Sequence, residues 1–168
     1  IERFPVIIKP VDEGSSKGVF LCNNREEAEE AVKKLARPII EDYIVGEELT
    51  VGVLNGKALG VLKIIPQADV LYDYDSKYAD GGSIHEFPAK IEDKSYKEAM
   101  KIAEKVHSEF GMKGISRSDF ILSEEELYFL EVNSSPGMTK TSLIPDLATL
   151  KGYTFDDVVR ITVETFLK

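Results

Sequence analysis

The side chains best suited to chemistry lie between residues 114 and 133, where Arg117 and Asp119 precede an acidic triplet, Glu124 to Glu126, and Glu131 and Asn133 follow it. If the triplet is the loop of a hairpin, Asp119 faces Glu131 and Arg117 faces Asn133. The two-residue period of a strand then turns all four to one face. Directly opposed carboxylates repel unless a cation sits between them. An all-oxygen set of Asp, Glu and Asn, with no His or Cys beside it, suits a hard ion such as Mg²⁺ that keeps some waters and takes phosphate oxygens for the rest. That chemistry is a nucleotide site; the competing reading of the same residues is the solvated outer face of an antiparallel sheet.

Three further features bear on phosphate chemistry. Lys9 ends the apolar run FPVIIK, where a charge is out of place unless the strand end opens onto a ligand, although a lysine at a strand end also snorkels to water. The loop Glu13-Gly14-Ser15-Ser16-Lys17-Gly18 offers glycines and hydroxyls whose neighbouring backbone N–H groups can close over phosphate oxygens. It lacks the Walker A spacing and reads equally as a hairpin turn. Pro136-Gly137, after Glu131 and Asn133, offers a backbone N–H able to stabilise an oxyanion, or simply a loop turn. His85 and His107 are expected to be structural.

The elements that must position these groups follow from periodicity and caps. Residues 4–9 and 19–22 read as strands, and Asn24 with Glu27 opens a helix running to about Ala36. Residues 38–44 form a strand, and 47–65 a hairpin turning at Asn55-Gly56. Residues 66–83 are an irregular excursion of the kind usually functional or disordered. Ser95 with Glu98 marks a second helix whose apolar side holds Tyr96, Met100, Ala103, Val106 and Phe110, ending at Gly111. Strands 114–122 and 127–132 follow. A loop through Pro145 leads to a last helix opened by Thr154 with Asp157. The pattern is α+β, in two lobes meeting near residues 41–46, with residues 1–43 in the first and 44–168 in the second.

With 168 residues, 43% of them hydrophobic and 30% charged, the chain can bury a core. No apolar run approaches the roughly 20 residues of a membrane span. A single cysteine, Cys22, excludes an intrachain disulfide, so a reducing cytoplasm is expected. Thirty Asp and Glu against 21 Lys and Arg give a net charge of -9, which argues against nucleic acid as a partner.

Read together, IIKPVDEGSSKGV, IIEDYIVGEELTV, LYDYDSKY and GISRSDFILSEEELYFLEVNSSPGMTKTSLIP resemble, in the family's own order, the D-alanine:D-alanine ligases of the ATP-grasp superfamily. The most specific run is R-x-D followed by L-x-E-x-N-x-x-P-G-M-T. The resemblance spans the whole chain as the carboxy-terminal half to two-thirds of such an enzyme. It implies ATP as cosubstrate and two Mg²⁺ ions, with Mn²⁺ a substitute, held by Asp119, Glu131 and Asn133. Lys9 and Lys77 would contact the nucleotide, under a loop containing Gly14, Ser15 and Ser16. Glu41, Tyr43 and Ile44 would receive adenine, and Glu48 the ribose hydroxyls. Arg117 and the N–H of Gly137 would hold the oxyanion. Ser15 and Tyr78 join the catalytic set, Lys77 and Tyr78 lying in a mobile loop that closes on the site. Lys77, Ser142 and Leu143 would meet substrate, the last two at the carboxylate of the second D-alanine.

The implied reaction phosphorylates the first D-alanine and joins it to the second for peptidoglycan precursors, in a full-length homodimer. Ser118 departs from the family, which usually has an apolar residue there. The family's amino-terminal domain is not in this sequence, so the chain alone is expected to be inactive. Two alternatives stay open: a relative joining D-alanine to D-lactate or D-serine, against which Tyr78 speaks, and a nucleotide-binding fragment without ligase activity.

Overall fold

Asn24 and Glu27 fix where the first helix begins. The Asn24 side chain accepts a hydrogen bond from the Glu27 amide at 3.0 Å, and the Glu27 carboxylate accepts from the Asn23 amide at 2.8 Å and from Asn24 Nδ2 at 2.7 Å. The Asn23 bond does most to hold the Glu27 carboxyl below its ordinary range. The computed structural model describes residues 2–14, 16–66, 83–139 and 142–167, and it divides into two compact units, one over Ile1–Val45 and one over Gly46–Ile65 and Ile84–Lys168.

The first unit is an antiparallel sheet in the order β2-β1-β3, made of β1 (Val6–Pro10), β2 (Phe20–Cys22) and β3 (Pro38–Asp42), with helix α1 (Arg25–Lys34) after β2. Val6 and Ile8 alternate onto the face that packs with Cys22, Ala28 and Ala31. Ile7 and Lys9 therefore turn to the other face. The helix ends at Lys34, two residues short of expectation, because Leu35 is extended (φ -113°) and packs on this core. Pro38 restricts the following turn.

The second unit is built on a sheet of order β6-β5-β4-β7-β8, from β4 (Glu47–Leu54), β5 (Lys57–Pro66), β6 (Ser83–Glu86), β7 (Ile115–Ser123) and β8 (Glu126–Asn133). Asn55 and Gly56 have φ of 48° and 77°, the primed turn expected of that dipeptide. Helix α2 (Asp93–Glu109) packs on one face, where Ala99 and Ala103 meet Leu49, Val51, Phe120 and Leu122. Helices α3 (Leu143–Thr149) and α4 (Phe155–Phe166) also contact β4. Gly52 shows where α3 sits. Out of phase with Val51, its added Cβ would come within 2.9 Å of Ile144 and 3.3 Å of Leu147, so the missing side chain lets α3 settle on the second face. Among the described residues no helix is long and apolar enough to cross a membrane.

Two expectations are corrected here. Helix α2 begins at Asp93 after Glu92, not at a Ser95 cap, and its buried stripe is Ser95, Ala99, Ala103 and His107. Small residues line the contact because they bring the helix close to the sheet; Tyr96, Met100 and Ile102 flank it, and Phe110 is 72% exposed. Tyr96 Oη and Glu104 Oε1 accept from the Val61 and Ala58 amides of β5 (3.0 and 2.9 Å), a second reason for the close approach. Helix α3 occupies part of the segment expected to be loop. Pro145 lies in its first turn, where a missing N–H costs nothing. The Thr154 cap stands as expected: Thr154 Oγ1 accepts from the Asp157 amide and Asp157 accepts from the Thr154 amide, which with the Thr154 hydroxyl bond holds the Asp157 carboxyl down at about 2.

His107 is buried beside Ser116, Nδ1 to Oγ 2.7 Å, and burial lowers its pKa from 6.5. The unfolded chain thus binds a proton that the native state refuses, so stability falls as pH drops below about 6.5 until the native His107 itself titrates. Thermal melts from pH 7 to pH 5 should show a steeper loss in the unmodified protein than in His107→Gln; equal slopes would contradict this.

Candidate active face of the second unit

The β7–β8 hairpin reaches the expected pairing by an unexpected route. Its turn is two residues, Glu124 (φ 53°) and Glu125, so Ser123 pairs with Glu126 and Phe120 with Phe129. A β-bulge follows, with Leu130 the additional residue, and beyond it Asp119 pairs with Glu131 and Arg117 with Asn133. Were Leu130 paired regularly with Asp119, Glu131 would share the face of Phe129. On β7, Arg117 and Asp119 are half-buried and alternate with the buried Ser116, Ser118 and Phe120. Strand β4 pairs Thr50 with Asp119, Gly52 with Arg117 and Glu48 with Ile121, which brings Glu48 and Thr50 to the same face. At the start of β4, a side chain at Gly46 would strike the backbone of Leu122 and come within 2.6 Å of Ile121 Cγ2, which fixes this pairing.

Asp119 is held from two sides. Arg117 donates through Nε to Oδ1 (2.9 Å) and Oδ2 (3.2 Å) and through Nη2 to Oδ2 (2.8 Å), both side chains being about four-fifths buried. Thr50 Oγ1 donates to Oδ1 at 2.6 Å. Asn133 Oδ1 accepts from the Ser135 amide at 2.9 Å and starts the turn toward Gly137. An added Cβ on Gly137 would lie 2.9 Å from Ser142 Oγ, so Gly137 and Ser142 are neighbours. Ser142 Oγ accepts from the Thr139 amide at 2.9 Å, and Leu143 opens α3. Among the described residues no three His, Cys, Asp or Glu side chains form a metal-binding group; the oxygen set here is two carboxylates and one amide.

In the first unit, Lys9 Nζ forms an ion pair with Glu41 at 2.8 Å on the face away from α1. Lys17 N donates to Gly14 O at 3.2 Å, and Ser16 and Gly18 adopt φ of 58° and 69°, which bends the loop tightly. Tyr43 N donates to Pro5 O at 3.3 Å, and Ile44 is half-buried. Ser15, Lys77 and Tyr78 lie outside the described residues. Two contributors were missed in the sequence. Thr50 is a hydroxyl within the otherwise apolar LTVGV, a usable signal; the His85 to Asp146 pair, Nδ1 to Oδ2 2.8 Å, spans elements that no spacing rule connects.

Two units of antiparallel sheet and helix carrying these groups are an α+β fold of the ATP-grasp class, as in the solved structures the chain resembles. Within that class the chain belongs to the D-ala D-ala ligase C-terminus family, whose model matches residues 2–164. It is 93% identical over 168 residues to the D-alanine–D-alanine ligase of Fusobacterium nucleatum, covering all of this chain and 58% of that protein. The crystal structure of D-alanine–D-alanine ligase from Bacillus anthracis aligns with a TM-score of 0.84 and 29% identity over 98% of this chain and 55% of its own. The VanG D-Ala:D-Ser ligase from Enterococcus faecalis aligns with a TM-score of 0.84 and 27% identity, over 98% of this chain and 50% of its own. The chain thus spans about half the length of each.

Ser118 is fully buried and its Oγ has no hydrogen-bond partner. An unpaired buried hydroxyl costs free energy that an alanine avoids, so Ser118→Ala should stabilise the protein by about 1 kcal/mol in chemical denaturation. A loss of stability would show that the hydroxyl is satisfied in solution.

Proposed function

We propose that this chain is the carboxy-terminal portion of an ATP-dependent ligase that joins two D-alanines through an acyl phosphate, supplying dipeptide for peptidoglycan precursors. The observation that carries the reading is the register that sets Asp119 opposite Glu131 with Arg117 and Asn133 on the same face. A carboxylate is too poor an electrophile for an amine, so its oxygen must first accept a phosphoryl group, and the protein's task is to balance the charge that spreads during transfer. Asp119, Glu131 and Asn133 fit a pair of hard divalent cations, Mg²⁺ or Mn²⁺, by their oxygen chemistry. Bound there, such ions would neutralise phosphate oxygens.

Under this reading Lys9 and Lys77 meet nucleotide phosphates, Gly14, Ser15 and Ser16 cover them, Glu41, Tyr43 and Ile44 receive the base, and Glu48 accepts the ribose hydroxyls. Arg117 and the Gly137 amide receive the oxyanion formed when the second amine attacks the acyl phosphate. Ser142 and Leu143 take the second carboxylate, and Tyr78 belongs to the catalytic set. The partners are small molecules, and the reaction runs in the cytoplasm, where ATP is available. A second reading, D-serine as the second substrate, is favoured by the VanG likeness, whose TM-score equals that of the Bacillus protein.

The test joins this chain to the preceding residues of the Fusobacterium relative and assays ADP and dipeptide formation from ATP with D-alanine or D-serine. D-alanyl-D-alanine is expected; no ATP-dependent product would overturn the proposal. In the same protein Arg117→Ala should lower kcat by about 10²-fold at saturating Mg²⁺ with little change in nucleotide affinity, because an oxyanion donor acts mainly in the transition state. Normal turnover per metal-loaded molecule would remove Arg117 from that role.

A further inference from the structure

We infer that Thr50 is a positioning residue, whose buried hydroxyl keeps the Asp119 carboxylate aimed at a divalent cation once Arg117 has let go of it. The inference rests on the reading of Asp119 as a metal ligand. Arg117 now occupies both oxygens of Asp119, with contacts of 2.8, 2.9 and 3.2 Å. A cation approaching Asp119 and an oxyanion approaching Arg117 each need part of that pair, so the pair must loosen when the face is loaded. Thr50 is a second partner of Asp119, and it is placed to stay.

Three features support that assignment. Thr50 sits directly opposite Asp119 in the β4–β7 ladder and is 0% exposed, in a strand whose start is fixed by the Gly46 contact. Its β-branched side chain has little χ1 freedom in a packed strand, so the hydroxyl direction is set by the backbone. The bond itself is 2.6 Å to Oδ1, in the range of a charge-assisted O–H to carboxylate bond, whereas the alternative acceptor, Ser118 O, is at 3.4 Å. A neutral donor takes one of about four lone-pair sites on the carboxylate and leaves its charge for the cation. Outer partners of this kind orient metal ligands, and losing one typically weakens binding about 10- to 100-fold.

The experiment titrates Mn²⁺ into the joined protein, saturated with a non-hydrolysable ATP analogue, and reads protein-bound Mn²⁺ by electron paramagnetic resonance beside thermal melts. Thr50→Val, nearly isosteric, should bind Mn²⁺ about 10- to 100-fold more weakly. Thr50→Ser, which restores the hydroxyl, should bind within a few-fold of the unmodified protein. If Thr50→Val does not fold, Thr50→Ala gives the same reading with only a small cavity. A purely structural threonine would lower the melting temperature and leave Mn²⁺ affinity per folded molecule unchanged, and that outcome overturns the inference alone. Absence of bound Mn²⁺ in the unmodified protein overturns both this inference and the metal assignment beneath it.

Discussion

One additional residue on β8 decides which side chains share a face of the second unit. Near the turn, the ladder is pinned by Phe120 against Phe129, an edge-to-face ring pair with centroids 5.6 Å apart, a contact worth about 0.5–1.5 kcal/mol beyond its burial. Continued without interruption, that register would carry Glu131 onto the face that packs against α2. Leu130 reverses the alternation, and Glu131 and Asn133 emerge opposite Asp119 and Arg117. The hydrophobic side of the hairpin and its charged side are therefore satisfied at once, by a local defect in the pairing rather than by a compromise in either.

On the charged side Arg117 and Thr50 together satisfy Asp119. A carboxylate this far from water would otherwise be expensive, and its neighbour Glu131 would add repulsion. The arginine thus acts as the counter-ion of Asp119. Helix α3, seated on Gly52 opposite Arg117 in the ladder, brings the Gly137 to Leu143 segment into the same unit and ties its beginning through Ser142 and Thr139.

Much of this was legible in the sequence where a single residue type has one physical use. Asn55-Gly56 demanded a primed turn, Asn24 and Thr154 demanded helix starts, and alternation placed Lys9 off the core face. The pairing of Asp119 with Glu131 was anticipated from a three-residue loop; the protein achieves it with two turn residues and a bulge, two deviations that compensate. Hydrophobicity misleads at α2, where closeness to the sheet selects Ser95, Ala99 and Ala103 over larger apolar residues, and Pro145 reads as part of a loop although it serves in a first helical turn. The Thr50 bond and the His85–Asp146 pair depend on tertiary placement, and no spacing along the chain encodes them.

We propose that the bulged hairpin holds Asp119 and Glu131 together for a divalent cation, which displaces Arg117 from Asp119. Anomalous diffraction from crystals grown with Mn²⁺ and a non-hydrolysable ATP analogue tests it most directly. Manganese bonded to Asp119 and Glu131, with the Arg117 guanidinium turned away from Asp119, is the expected result. Manganese elsewhere, with Arg117 still gripping both oxygens of Asp119 beside bound nucleotide, would contradict it.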